Sequence, residues 1–173
     1  MKLPVRAKDF VPVALVGALS GLAVLLSGCG GTEIAEASIP GGAREIYLTA
    51  LEYKGSAEVS KEAFPADKLP EGGGYGLKAP AGDPPKWEVN SYAWAPSNFV
   101  VAEGDKVTLK IVGVNGASHV STIKDHVAKF TVERGKLATV EFTAGKPGVY
   151  EIICNTHAPN MKGQMIVLPR SEK

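Results

Sequence analysis

Apolar and polar residues alternate in short runs along most of the chain after residue 87. In residues 106–112, Val107, Leu109 and Ile111 alternate with polar side chains, which is the two-residue period of a half-buried strand. No stretch of this part has a convincing 3.6-residue helical period. Short strands that follow one another, with turn residues between them, are typical of a β-sandwich or barrel. We therefore predict an all-β fold.

The predicted strands are separated by turn signals such as Asn115-Gly116. They cover residues 44–51, 87–92, 98–101, 106–112, 118–123, 128–132, 137–143, 149–153 and 164–168. Residues 52–86 are rich in glycine and proline, so we predict a long surface loop before the main strands. Its Gly72-Gly73-Gly74 motif is not a phosphate loop, because no Gly-Lys-Ser/Thr ending and no helix follow it.

The chain begins with a short basic segment and an uncharged apolar run that ends in Leu-Ser-Gly-Cys at Cys29. This order predicts a signal peptide over residues 1–28. The ending resembles the bacterial lipoprotein box, in which the chain is cut before the cysteine and the thiol is lipidated. An uncleaved transmembrane anchor is the alternative, because the run is about long enough to cross a bilayer. Either way we expect an exported, membrane-anchored protein that faces the periplasm or cell exterior.

The division of the rest of the chain into segments follows from its composition. We predict a flexible tether over residues 29–43, a first strand and surface loop over residues 44–86, and the main domain over residues 87–173. The formal net charge is only +1, and no basic stripe is present. We therefore expect no nucleic-acid partner, and we expect a monomer.

Three potential metal ligands follow the predicted strand that ends at Cys154. Cys154, His157 and Met161 lie within eight residues and offer a thiolate, an imidazole and a thioether. This soft ligand set suits copper, since a trigonal His₂Cys site with a weak axial methionine is the blue-copper arrangement. The simpler alternative is a buried free cysteine beside an unrelated histidine and a packing methionine.

The second imidazole of such a site has to come from elsewhere in the chain. The chain has three histidines, which leaves His119 on a predicted strand and His126 in a polar loop. We favour His119 and predict one copper per chain. Asn155 and Pro159 are candidates for the surroundings of the site, Asn155 by ordering the loop and Pro159 by stiffening it. With Cys154 in this loop and Cys29 at the leader junction, we predict no disulfide.

The pattern around these residues resembles the cupredoxin superfamily over roughly residues 87–168. The resemblance rests on these features: His119, Phe130-Thr-Val, Val140-Glu-Phe-Thr-Ala, Gly148-Val-Tyr, Cys154-x2-His157-x3-Met161 and Gly163. It implies a cupredoxin-like Greek-key β-sandwich. Within the superfamily the sequence is similar both to plastocyanin-like proteins, whose loop has one more residue between histidine and methionine, and to the copper domain of cytochrome oxidase subunit II.

Two differences from members of this superfamily narrow the type of copper site that the resemblance implies. The oxidase domain has a second cysteine four residues before the first, where this chain has Tyr150, so a binuclear centre is not implied. Nitrosocyanin, a red copper protein, matches the spacing of Cys154 and His157 but has a glutamate where this chain has His119. The histidine favours a blue site over a red one.

Together these features predict a mononuclear copper protein that transfers single electrons outside the cytoplasm and is not an enzyme. We expect redox partners such as c-type cytochromes or a terminal oxidase or reductase. The ring edge of His157 should face solvent, with Ala158 and Pro159 in the docking patch. A copper storage or delivery module is one alternative, and an enzyme of the red-copper or Cys-His nucleophile type is another.

Overall fold

The computed structural model describes residues 37–68 and 73–171. The strands within these ranges are β1 (Ala43–Glu58), β2 (Tyr75–Ala81), β3 (Lys86–Ala95), β4 (Asn98–Ala102), β5 (Lys106–Gly113), β6 (Ser118–Ile123), β7 (Val127–Glu133), β8 (Leu137–Thr143), β9 (Gly148–Cys154) and β10 (Lys162–Leu168), and a 3₁₀ turn covers Asn155–His157. None of the helical structure in these ranges is long and apolar enough to cross a membrane. The predicted signal peptide, Cys29 and the beginning of the tether lie outside the described residues.

The strands form two five-stranded sheets, and this arrangement confirms the predicted β-sandwich. One sheet has the order β2-β3-β1-β5-β8 and the other has the order β4-β10-β9-β6-β7. Most neighbours are antiparallel, but β1 runs parallel to β5 and β4 runs parallel to β10. The sheets bury a core made mainly of aliphatic and aromatic side chains, which includes Leu48, Trp94, Val101, Leu109, Ile111, Ile123, Val132, Ile152 and Met165.

The predicted loop over residues 52–86 is wrong for two segments. β1 continues to Glu58, paired with β3, and β2 adds an edge strand to β3. Residues 51–58 do alternate, with Glu52 and Lys54 on one face and Leu51 and Tyr53 on the other. In β2 a proline is tolerated because an edge strand leaves one side of its backbone unpaired. The irregular part is therefore shorter than predicted: its described residues are 59–68 and 73–74, and residues 82–85 form the turn between β2 and β3.

A buried carboxylate fixes the start of β1 and β5. The side chain of Asp105 is fully buried and accepts hydrogen bonds from the backbone N–H groups of Ala102 (2.7 Å) and Gly42 (2.6 Å) and from the Arg44 guanidinium. Burial raises the pKa of Asp105, but these hydrogen bonds and the Arg44 charge outweigh it and hold the pKa below its ordinary value. Asp105 is therefore ionised in the native protein at neutral pH.

At the other end of the core, the side chains of β1 and β3 become less buried. Trp94 and Ala50 pair across the two strands and are both buried in the core. The next pair on the same face is Tyr92 and Glu52, where Tyr92 is half-buried. Because side chains alternate across a strand, Tyr92 stands at the boundary between the core and solvent.

Candidate metal centre

Two adjacent strands and one short turn bring His119, Cys154 and His157 together. β6 carries His119 and pairs with β9, which ends at Cys154. The 3₁₀ turn Asn155–His157 then brings the imidazole of His157 back over the cysteine. Cys154 Sγ lies 3.7 Å from His119 Nδ1 and 3.5 Å from His157 Nδ1, and the two Nδ1 atoms are 3.1 Å apart.

This donor triangle has dimensions that fit a transition metal. A point equidistant from the three atoms lies about 2 Å from each, close to the ~2.0–2.1 Å of a zinc–imidazole bond. Within residues 37–68 and 73–171, no other His, Cys, Asp and Glu side chains form such a group of three. One thiolate with two imidazoles is the trigonal set that favours copper.

His119 is fully buried, and a backbone carbonyl sets its orientation. Its Nε2–H donates to the carbonyl oxygen of Asn115 at 2.7 Å, so in the neutral ring Nδ1 carries no proton and points at the sulfur. Gly116, at φ +76°, lies against the ring, where an added Cβ would be 3.0 Å from Nε2. Burial lowers the pKa of His119, but the hydrogen bonds to Cys154 and Asn115 outweigh it and raise the pKa above its ordinary value.

Cys154 is a buried free thiol whose surroundings favour the thiolate. Burial alone raises the pKa of Cys154. Hydrogen bonds from the protonated ring of His119, from the backbone N–H of His157 and from the Ser121 hydroxyl outweigh burial, so the pKa lies below its ordinary value. The thiolate is the form that binds metals, and the polypeptide favours that form even in the absence of a metal.

His157 is half-buried, and its imidazole stacks on the ring of Tyr92. The ring centroids are 3.9 Å apart and the ring planes differ by 16°. Burial and the charge of His119 lower the pKa of His157, and Glu52 opposes them in part. The lowered pKa favours the neutral imidazole, which is the form that binds a metal. Tyr92 covers one face of a ring that we expected to present its edge to solvent.

Met161 closes the loop that begins at Cys154. Its side chain is fully buried, its N–H donates to the carbonyl oxygen of His157, and its carbonyl accepts the N–H of Cys154, each at 3.0 Å. The role of its thioether as a fourth ligand stays a prediction. Asn155 and Pro159 are both exposed on the same loop. The backbone N–H that donates to the sulfur is that of His157, and the suggested roles of Asn155 and Pro159 remain predictions.

The alternative ligand His126 lies outside the triangle. Its Nδ1–H donates to the carbonyl oxygen of Lys124, and its Nε2 accepts the N–H of Gly145, both at 2.9 Å. Its ring packs edge-on against Tyr150 and Phe142. Both nitrogens therefore have local partners, and the structure brings His119 rather than His126 to Cys154.

The sequence prediction missed several residues around the site. Tyr92 comes from the opposite sheet, and Gly73 and Gly74 come from the segment predicted as a surface loop. Asn160 lies in the ligand loop, and its amide reaches β3. The one available signal was Tyr92, a tyrosine within the apolar alternation of β3. No local feature of the sequence marks Gly73, Gly74 or Asn160.

A comparison with protein families agrees with this picture. A protein-family profile described as Cupredoxin-like domain matches residues 77–167, just over half of the chain. No curated protein matches the chain. Among solved structures, a heme-copper terminal oxidase dimer is 20% identical over 41% of this chain, with a TM-score of 0.35, and the match spans 50% of the oxidase chain.

Two further solved structures are similar to a comparable degree. Auracyanin A, a "blue" copper protein from the green thermophilic photosynthetic bacterium Chloroflexus aurantiacus, is 18% identical over 43% of this chain and 88% of its own, with a TM-score of 0.38. The multicopper oxidase mgLAC is 17% identical over 75% of this chain and 40% of its own, with a TM-score of 0.45.

Proposed function

The chain belongs to the cupredoxin-like domain family, and on that premise we propose that it is a mononuclear copper protein that transfers single electrons between redox partners outside the cytoplasm. Copper is its cofactor. Bound copper supplies the chemistry by alternating between two oxidation states that differ by one electron. The observation that carries the proposal is the convergence of Cys154 Sγ with Nδ1 of His119 and of His157.

The surrounding polypeptide prepares these three residues, with Met161 as the proposed fourth ligand. The Asn115 carbonyl holds the proton of His119 on Nε2 and leaves Nδ1 free. The hydrogen bonds to Cys154 favour its thiolate, and burial favours the neutral form of His157. Cys154 and His157 thus favour the protonation states that metal binding requires, and the Asn115 carbonyl orients Nδ1 of His119 toward the same point.

An electron carrier fits the burial of the site better than an enzyme does. Cys154 and His119 are fully buried, and His119 is oriented by a backbone carbonyl rather than by a carboxylate. A Cys-His nucleophile would need an accessible thiol and a base oriented for proton transfer. An outer-sphere electron carrier needs only a short path from the buried metal to the surface.

The ligand loop provides that path. Thr156 and Pro159 are exposed next to the half-buried His157, and Val114 is 48% exposed on the segment that leads to Asn115. We propose that a c-type cytochrome or a terminal oxidase or reductase docks here through a small interface, as transient redox partners do. Lipid attachment at Cys29 belongs to the same proposal, because a tether raises the effective concentration of the carrier near membrane partners.

The test is to load the purified full-length protein with copper and to measure its metal content, visible spectrum and electron exchange. We expect one copper per chain and an intense thiolate-to-copper band in the oxidised protein. After the loaded protein has been reduced and excess reductant removed, we expect rapid electron transfer to an oxidised small c-type cytochrome in stopped flow. Cys154→Ser is the control that should lose the band. Exchange that takes minutes, or rapid transfer of the copper to a chelating protein, would replace the carrier proposal with storage or delivery.

A further inference from the structure

The end of the triple-glycine motif lies directly on the backbone of the ligand loop. Gly73 donates its N–H to the carbonyl oxygen of Ala158 at 2.9 Å. Gly74 has φ +88°, and an added Cβ would lie 2.3 Å from the carbonyl oxygen of His157. Both the left-handed backbone and the close approach require glycine here. This segment therefore packs against the residue that carries one of the imidazoles.

Asn160 joins the same loop to the opposite sheet. Its side-chain amide nitrogen lies 2.7 Å from Ser91 Oγ, 2.9 Å from the carbonyl oxygen of Gly74 and 3.1 Å from that of Tyr92. An amide group has two hydrogens, so these three acceptors share them. One side chain in the ligand loop thus holds both β3 and the glycine segment.

Tyr92 is the point where these contacts meet. Its N–H donates to the carbonyl oxygen of Gly74 at 2.6 Å, and its own carbonyl accepts from Asn160. Its ring stacks on His157 and meets His119 edge-on, with ring centroids 5.7 Å apart. The backbone of Tyr92 is therefore tied to the ligand loop while its ring defines the plane of one imidazole.

We propose that Gly74, Tyr92 and Asn160 form a clamp that positions His157 for metal binding. The clamp holds the ring so that Nδ1 faces Cys154 in the metal-free protein as well as in the loaded one. The inference rests on the proposed copper site and names the positioning residues of that site. Apparent affinity scales with the fraction of molecules that are competent to bind. A ring that is already held in the binding orientation keeps this fraction high, so copper binds more tightly.

The stacking contact gives the size of the effect. An aromatic pair contributes about 0.5–1.5 kcal/mol beyond its buried area, and affinity changes tenfold per ~1.4 kcal/mol. Removing the ring of Tyr92 should therefore weaken copper binding by up to roughly twelvefold. It should also change the visible and EPR spectra of the copper(II) protein, because the imidazole plane is then free to turn.

The experiment compares two pairs of variants in the full-length protein, using copper competition with a chelator, EPR and the reduction potential. Tyr92→Leu should weaken copper binding and shift the spectrum and potential, whereas Tyr92→Phe keeps the stacked ring and should match the wild type. Gly74→Ala should have the effects of Tyr92→Leu. Gly104→Ala is its control, because Gly104 also has a left-handed φ of +73° but has no atoms within 4 Å of an added Cβ.

The outcomes separate the clamp from the function on which it rests. If the wild type binds copper and Tyr92→Leu keeps its affinity, spectrum and potential, the clamp is refuted while the proposed function stands. The same comparison decides the matter if Gly74→Ala does not fold. If the wild type binds no copper, the proposed function fails, and NMR contacts between the rings of Tyr92 and His157 test the clamp in metal-free protein. Their loss in Gly74→Ala but not in Gly104→Ala supports the clamp, and their persistence in both overturns it.

Discussion

Replacing Met161 with leucine separates its packing role from its proposed role as a copper ligand. The side chain is fully buried in the core, and the two hydrogen bonds that close the loop use its backbone, which the substitution keeps. Leucine has a similar volume but no sulfur. Met165 is also fully buried, on β10, so Met165→Leu is a matched control that makes the same chemical change elsewhere in the core.

The expected effect on folding is small for both leucine variants. Volume-conserving swaps in a core usually cost less than about 1.5 kcal/mol of unfolding free energy. Truncation is different, because Met161→Ala leaves a cavity and should cost roughly 2–5 kcal/mol. Denaturant unfolding of the metal-free proteins should therefore rank the two leucine variants close to the wild type and Met161→Ala well below them.

The expected effect on the metal distinguishes the two methionines. If the thioether of Met161 is the axial ligand, Met161→Leu should still bind copper through the three remaining donors. Its reduction potential should rise, because losing a donor destabilises the oxidised ion more than the reduced ion. Voltammetry of the loaded proteins should show this rise for Met161→Leu and no comparable change for Met165→Leu. Equal potentials for the wild type and Met161→Leu would show that Met161 only fills the core.

Three further predictions concern the ligands and the pH dependence. His119→Ala should abolish the thiolate-to-copper band in absorbance spectra, and His126→Ala should leave it intact. The reverse result would show that His126, and not His119, is the ligand. In copper-free protein the thiolate absorbance of Cys154 should appear at lower pH than in a free cysteine and move to higher pH in His119→Ala, since His119 stabilises the thiolate; an unchanged titration would contradict that role. Asp105→Asn should lower the unfolding free energy at pH 7 by about 1–3 kcal/mol. The wild-type advantage should be complete above the ordinary carboxylate pKa and disappear as the pH falls through the depressed native pKa, because the unfolded state binds the proton more readily. Thermal unfolding at several pH values measures this difference, and a constant difference down to strongly acidic pH would refute the assignment.

The ligand loop could be predicted from the sequence because the residues that define it are close together in the chain. Cys154, His157 and Met161 follow one strand within eight residues, so their spacing alone restricts how far apart they can lie. Alternation likewise predicted most strands, since a half-buried strand needs apolar residues on one face only. The continuation of β1 had the same alternation, but the glycine and proline content of residues 52–86 outweighed it in our interpretation.

Only the tertiary structure decided what surrounds the loop. Sequence favoured His119 over His126, but the pairing of β6 with β9 is what brings His119 to the sulfur of Cys154. Asn160 and Gly74 are 86 positions apart in the chain, and no local pattern records a contact at that separation. Their meeting depends on how β3 and the glycine segment pack against the end of the sandwich. The sequence by itself therefore determined which residues can bind a metal, and packing between distant segments determined how firmly they are held.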